Sequence, residues 1–205
     1  WNRAHTYADM FTALINGWRA EWKQGDFPFY YCQIAPYDYA LITAPGQEPV
    51  QSALIREAQS QVEHRVPHTC MAVLLDAGME KGIHPAKKRL AGERLGLLAL
   101  TKTYGIEGVN GESPYYKSME IQGDTVIVSF ERADMWISGK ECFESKLFSV
   151  AGEDRIFHPA KAWIVRSKMY VRSEKVPHPV AVRYAFDNYV EGCLLYTSPS
   201  PRDTR

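Results

Sequence analysis

Seven apolar residues near the start of the chain recur at spacings of three and four, which predicts an amphipathic helix over residues 6–22. They are Tyr7, Met10, Phe11, Leu14, Ile15, Trp18 and Trp22. Gly25 and Asp26 break this pattern, and residues 27–35 then form a run that is apolar and aromatic without alternation. Such a run is typical of a strand buried on both faces of a parallel sheet.

Residues 51–104 repeat this order of helical and continuous apolar segments. Residues 51–63 are mostly helix formers ended by Pro67, and residues 69–75 form a second continuous apolar run. A third helix is expected from Pro85, a residue that suits a first helical turn, to Tyr104. The order helix, strand, helix, strand, helix predicts half of a doubly wound α/β layer.

Beyond Gly105 the pattern changes to short alternating runs. Residues 117–122 and 125–130 flank Gly123-Asp124, a pair typical of a tight hairpin turn. Further short strands are expected at four places: residues 148–151, 162–166, 169–172 and 180–186. The prediction is therefore a partial α/β domain over residues 1–106 and a β-rich, sandwich-like module over residues 107–192.

Composition narrows the class of protein. The chain has 24 basic and 24 acidic residues and is 45% hydrophobic, which argues against disorder and against a nucleic-acid partner. Its longest apolar runs, such as residues 71–75, are far shorter than the roughly 20 residues of a membrane span, so no membrane partner is predicted.

No metal or other cofactor is predicted. The four cysteines, Cys32, Cys70, Cys142 and Cys193, have spacings of no metal-binding or disulfide-rich pattern. His64 and His68 have the spacing of a helical metal pair, but Pro67 between them interrupts the helix.

The last 13 residues, 193–205, are a Ser/Pro-rich stretch unlike the rest of the chain and resemble a translated sequencing adapter. They are expected to be non-native and disordered, with a natural flexible tail as the alternative.

Candidate chemistry lies where the predicted parallel strands end, because ligands of open α/β sheets bind outside the carboxyl ends of the strands. Two loops qualify: the one containing Pro36 and Tyr37, and the one over residues 76–84. The second contains Asp76 and His84, and a histidine there suits a general base. The alternative is that His84 caps the following helix while Asp76 is solvated.

Several strings then resemble one family. They are Gly82-Ile83-His84-Pro85 with the residues up to Leu95, the aromatic run Phe27-Pro28-Phe29-Tyr30-Tyr31, Arg56-Glu57-Ala58-Gln59, and Arg183-Tyr184-Ala185-Phe186. Together they are similar to the sialate O-acetylesterase family, SGNH-type (GDSL-like) carbohydrate esterases with a flavodoxin-like α/β fold. The resemblance covers most of residues 5–188.

The resemblance implies hydrolysis of acetyl esters on sugars by a serine nucleophile and a histidine base, without a metal. His84 matches the catalytic histidine, which makes an acetylated carbohydrate the expected partner. Where relatives carry an aspartate, this chain has Lys81 or Gly82, so Asp76, Glu80 or a backbone carbonyl is left to orient the imidazole.

The resemblance also suggests pocket residues and a cellular location. Tyr37, Arg56 and Gln59 are candidates for substrate binding, although Arg56 and Gln59 would equally anchor their helix to the sheet. Family members suggest a secreted, periplasmic or lysosomal location for the full-length protein, and the oligomeric state stays open.

The family's nucleophile block, of the Gly-Gln-Ser-Asn type, and its Gly-Glu-Ser-Asn block do not occur. Ser52, Ser60 and Ser113 lack the glycine-rich turn that exposes a nucleophile. The chain is therefore expected to begin downstream of both blocks and to be inactive by itself. The rival hypothesis is an accessory module that binds carbohydrate through its aromatic residues.

Overall fold

A computed structural model describes residues 3–48, 50–132, 147–166 and 168–191. The described chain forms two units, one over residues 3–112 with 187–191 and one over residues 113–186. Cys142, Cys193 and the tail 193–205 lie outside the described residues. Within these ranges no helix is both long and apolar enough to cross a membrane.

The first unit alternates helices and strands as predicted. Its elements are α1 (Ala4–Trp22), β1 (Phe29–Cys32), a 3-10 helix (Tyr39–Ile42), α2 (Ser52–Arg65), β2 (Thr69–Ala72), α3 (Lys88–Leu98) and a π-helical turn (Ala99–Thr103). β1 and β2 pair in parallel, with Tyr30 opposite Cys70 and Tyr31 opposite Met71. A mixed α/β fold is thus present.

Both faces of the two strands are covered, as a continuous apolar run requires. Tyr31 and Met71 pack in one cluster with Ile15 of α1 and Val62 of α2. Cys70 and Ala72 point to the other face and pack with Leu98 of α3. Ile15 and Val62 are fully buried, and each burial stabilises the unit by roughly 1.5–3 kcal/mol.

The structure corrects two details of the predicted helices. The α1 stripe is not buried throughout, because Trp18 and Trp22 are 49% and 60% exposed. Pro85 does not lie in a helical turn, because α3 begins at Lys88. The Nζ atom of Lys87 donates to the Asp76 carbonyl at 2.9 Å, which holds the preceding residues as a loop on the end of β2.

The described residues of the second unit form strands and loops. The strands are β3 (Tyr115–Gln122), β4 (Thr125–Glu131), β5 (Phe148–Ala151), β6 (His158–Pro159), β7 (Lys161–Val165), β8 (Lys168–Arg172) and β9 (Ala181–Tyr184). They make two antiparallel sheets, ordered β3-β4-β8-β7 and β6-β5-β9. Gly123, at the predicted hairpin turn, has a φ of 61°, a backbone conformation that favours glycine.

Apolar residues of both sheets share one core. It contains Val126, Val128, Phe148, Val150, Ala162, Met169 and Val171. The strands β4, β5 and β8 each contribute alternate residues to this core, which explains the short alternating runs in their sequences.

Residues 187–191, hereafter the return segment, pack with the first unit, whereas the sequence placed them in the β-rich module. The other boundary falls between Glu112 and Ser113 rather than at residue 106. The reason for the return is polar: Asn188 bonds to Ser52 at the start of α2, 136 residues earlier in the chain.

Candidate functional site at the carboxyl ends of the parallel strands

The loops after β1 and β2 meet at the same sheet edge, because the two strands are parallel. A Cβ atom at Gly78 would lie 2.2 Å from the Pro36 carbonyl oxygen, so this contact between the loops requires glycine. The Asp38 N–H donates to the Glu80 carbonyl at 3.2 Å. The two loops predicted to carry a site therefore form one surface.

A buried glutamine closes the base of this surface. The Gln33 backbone N–H donates to the Ala72 carbonyl at 2.9 Å, which continues the strand pairing by one residue. Its side-chain Oε1 accepts from the Leu74 N–H at 3.4 Å. Backbone groups that would otherwise be orphaned at the strand ends are thereby satisfied.

His84 lies on the loop after β2, four residues beyond Glu80, and is exposed. Within the described residues its imidazole has no hydrogen bond or ion pair to the protein. A neutral imidazole accepts a hydrogen bond at one ring nitrogen and donates one from the other, and both nitrogens of an exposed ring are open to a partner. His84 does not cap α3, whose first helical residue is Lys88 and which has no side-chain cap.

Asp76 is bound by an arginine of α3 rather than by His84. The Arg94 Nη1 and Nη2 atoms donate to the two Asp76 carboxylate oxygens, each at 2.7 Å. Burial raises the pKa of Asp76, but the hydrogen bonds and charge of Arg94 outweigh it and hold that pKa below its usual value. Arg94 also donates to the Val73 carbonyl at 2.6 Å.

The prediction that Asp76 orients His84 is therefore supported by no hydrogen bond among the described residues. The sequence reasoning missed Arg94 as its partner. A usable signal was present, because Arg94 lies at helical spacing from Leu90, Leu97 and Leu98, and an arginine on an apolar helix face needs an acceptor.

Arg56 and Gln59 are only 5% and 6% exposed, and their contacts are those of anchors. Gln59 Oε1 accepts from the Ile34 N–H at 2.8 Å, and its Nε2 donates to the Cys32 carbonyl at 3.4 Å. Arg56 donates to the Asp187 carbonyl and to the Ser52 hydroxyl. Burial lowers the pKa of Arg56 to about 10, which leaves the guanidinium charged at neutral pH.

Tyr37, the third substrate-binding candidate, is also buried, with 6% of its surface exposed. Its ring meets the Tyr39 ring edge to face, with centroids 5.1 Å apart. Its N–H donates to the Asn188 carbonyl at 3.1 Å. The three substrate-binding candidates are thus buried at the sheet edge, whereas His84 is exposed.

Across the described ranges, no three His, Cys, Asp or Glu side chains are grouped to hold a metal ion. Neither Cys32 nor Cys70 forms a disulfide within the described residues.

The first unit is therefore an α/β layer with an exposed histidine on a loop at the carboxyl edge of its parallel strands. Comparison with known proteins narrows this class. The chain is 29% identical over 126 residues to sialate O-acetylesterase of Rattus norvegicus. This match covers 56% of the chain and 23% of that protein. No protein-family model matches it.

A solved structure that matches the chain is also that of an acetylesterase. The crystal structure of a carbohydrate acetylesterase from Xanthomonas citri matches with a TM-score of 0.79 and 33% sequence identity. The match covers 93% of this chain and 43% of that one. The chain thus spans less than half of either relative, and both comparisons support a sialate O-acetylesterase-like esterase family.

Proposed function

We propose that this chain is part of a carbohydrate O-acetylesterase in which His84 is the general base of a serine–histidine mechanism. The observation that carries the proposal is the position of His84: exposed and without a protein partner in the described residues, on the loop that follows β2. The named activities of the two relatives supply the reaction class.

The reaction follows from the chemistry of esters. A ring nitrogen of His84 takes the proton of a serine hydroxyl as the serine oxygen bonds to the acetyl carbonyl carbon. When the tetrahedral intermediate collapses, the bond to the sugar oxygen breaks and His84 returns the proton to that oxygen. Water, deprotonated by the same histidine, then bonds to the acyl carbon. The bond from that carbon to the serine oxygen breaks, His84 gives its proton to the serine oxygen, and acetate leaves.

The nucleophilic serine of this scheme is assigned to a part of the enzyme other than this chain. Ser52 is 1% exposed and bonded to Asn188 and Arg56, which leaves it no access to a substrate. Ser60 lies within α2, away from any strand-to-helix turn. The SGNH type of the enzyme and its Ser–His pair are thus part of the proposal.

His84 also needs a group that fixes its tautomer. Because Asp76 is paired with Arg94 and has no hydrogen bond to His84 in the described residues, we assign Asp76 to holding the end of β2 in place. Glu80 or a backbone carbonyl of the same loop is left as the group that orients the imidazole.

An accessory carbohydrate-binding role is the second candidate, and one observation favours it. Trp163 and Tyr170 face each other across β7 and β8, both partly exposed. Their ring planes differ by 22° and their centroids lie 5.7 Å apart. Aromatic faces of this kind provide apolar contact area for sugar rings.

One experiment separates the two functions. The complete enzyme is incubated with O-acetylated sialic acid and with acetylated xylan, and the free acetate is measured. The proposal predicts acetate release from at least one of them and none from the deacetylated controls. Retention of the glycan on the protein without acetate release would instead support the accessory role.

A further inference from the structure

The return segment, which the proposed mechanism does not use, is bonded to two elements of the sheet edge. Asn188 Oδ1 accepts from the backbone N–H of Ser52 at 2.8 Å and from its hydroxyl at 3.1 Å. The Asn188 carbonyl accepts from the Tyr37 N–H at 3.1 Å. One residue therefore joins the start of α2 to the loop after β1.

The bond to Ser52 replaces a missing helix cap. The first N–H groups of a helix have no partner within the helix, and a side-chain oxygen usually accepts from one of them. The residue before α2, Gln51, makes no such side-chain bond. Asn188 supplies the acceptor from the far end of the chain, and Arg56 holds the neighbouring Asp187 carbonyl.

The bond to Tyr37 reaches the His84 loop by a short path. The next residue, Asp38, donates its N–H to Glu80, and Pro36 lies against Gly78. Residues 36–38 are therefore held by Asn188 and in turn hold residues 78–80. Because the His84 imidazole has no partner in the described residues, the backbone of its loop alone sets its position.

We infer that Asn188 is a positioning residue for the His84 loop, acting through Tyr37 and Asp38. The inference rests on the proposed role of His84, but its contacts are independent of that role. Loss of the side-chain oxygen removes both bonds that Asn188 Oδ1 accepts from Ser52, so we expect the carbonyl contact with Tyr37 to weaken and both loops to loosen.

Hydrogen exchange on this chain tests the inference. In Asn188→Ala, the amides of residues 37–42 and 77–84 should exchange about tenfold faster. Loss of a hydrogen bond lowers the free energy of local opening by roughly 1 kcal/mol, so the open state is more populated. Amides of the β3–β4 hairpin should be unchanged. Asn188→Asp keeps the oxygen acceptor at the helix start and should exchange like the unmodified chain.

The matched control is Asn16→Ala, an exposed asparagine of α1, which should change neither loop. If Asn188→Ala does not fold, Asn188→Gln takes its place, since it keeps the amide and displaces the oxygen by one carbon. Faster exchange spread over the whole first unit, unchanged exchange in the two loops, or failure of both variants to fold would each overturn the inference.

The test of Asn188 can be told apart from the test of the proposed esterase function. In the complete enzyme, Asn188→Ala should lower kcat about tenfold with little change in KM, and Asn188→Asp should restore it. Loosened loops in an enzyme without esterase activity would refute the proposed function alone. Unchanged loops in an enzyme that depends on His84 would refute the role of Asn188 alone.

Discussion

This chain by itself should hydrolyse 4-nitrophenyl acetate no faster than its own His84→Ala variant. Within the described residues no serine hydroxyl bonds to His84, and the buried Ser52 is committed to Asn188 and Arg56. An oxyanion-hole donor is worth about 10²–10³ in rate, and loss of a nucleophile costs on the order of 10⁶. A general base accelerates the reaction little when it has no nucleophile to deprotonate and no oxyanion hole beside it.

The His84→Ala comparison is essential because surface amines and imidazoles react slowly with activated esters. Initial rates are compared at equal protein concentration, with His5→Ala as a second variant that removes an exposed histidine of α1. A rate more than about tenfold above that of His84→Ala, retained in His5→Ala, would mean that the chain contains its own nucleophile.

Arg94→Met should lower the free energy of unfolding by about 2–4 kcal/mol. The Arg94 side chain is 9% exposed and makes both bonds to the Asp76 carboxylate and a third to the Val73 carbonyl. Methionine fills much of the same space but removes all three of these hydrogen bonds from partly buried acceptors. Urea unfolding followed by circular dichroism measures the difference.

Arg89→Met is the matched control, because it removes an arginine of the same helix whose side chain is 92% exposed. Its ion pair with Glu93 is of the surface type, so the expected change is below about 0.5 kcal/mol. Equal losses in the two variants would show that the Arg94–Asp76 pair does not fix α3 to the end of β2.

The same pair gives a pH dependence of defined sign. Because Arg94 holds the pKa of Asp76 below its ordinary 3.8, the pair stabilises the fold above that value. The contribution is lost as the pH falls through the lower pKa of the folded state. The gap in stability between the unmodified chain and Arg94→Met should therefore narrow on acidification below about pH 4.

The elements of the first unit were predictable because their apolar residues are local and regular. The continuous runs around Tyr31 and Met71 predict strands covered on both faces, and the structure has them in parallel. The hairpin at Gly123 was predictable for the same reason, since its turn chemistry lies within two residues.

The site was predictable only in outline. The sheet edge and the loop of His84 follow from strand order, but side-chain pairing does not. Asp76 meets Arg94 across 18 residues, and Asn188 meets Ser52 across 136, so neither bond leaves a periodic trace in the sequence. Polar contacts between distant segments depend on how the elements pack, and apolar patterns predict the elements but not their packing.

Acetate release by the complete enzyme, measured with and without His84, tests the central claim most directly. On O-acetylated sialic acid or acetylated xylan, His84→Ala should lower kcat at least about a thousandfold while the protein stays folded. His5→Ala should leave the rate unchanged. A His84→Ala enzyme that retains activity within about tenfold of the unmodified enzyme would contradict His84 as the general base.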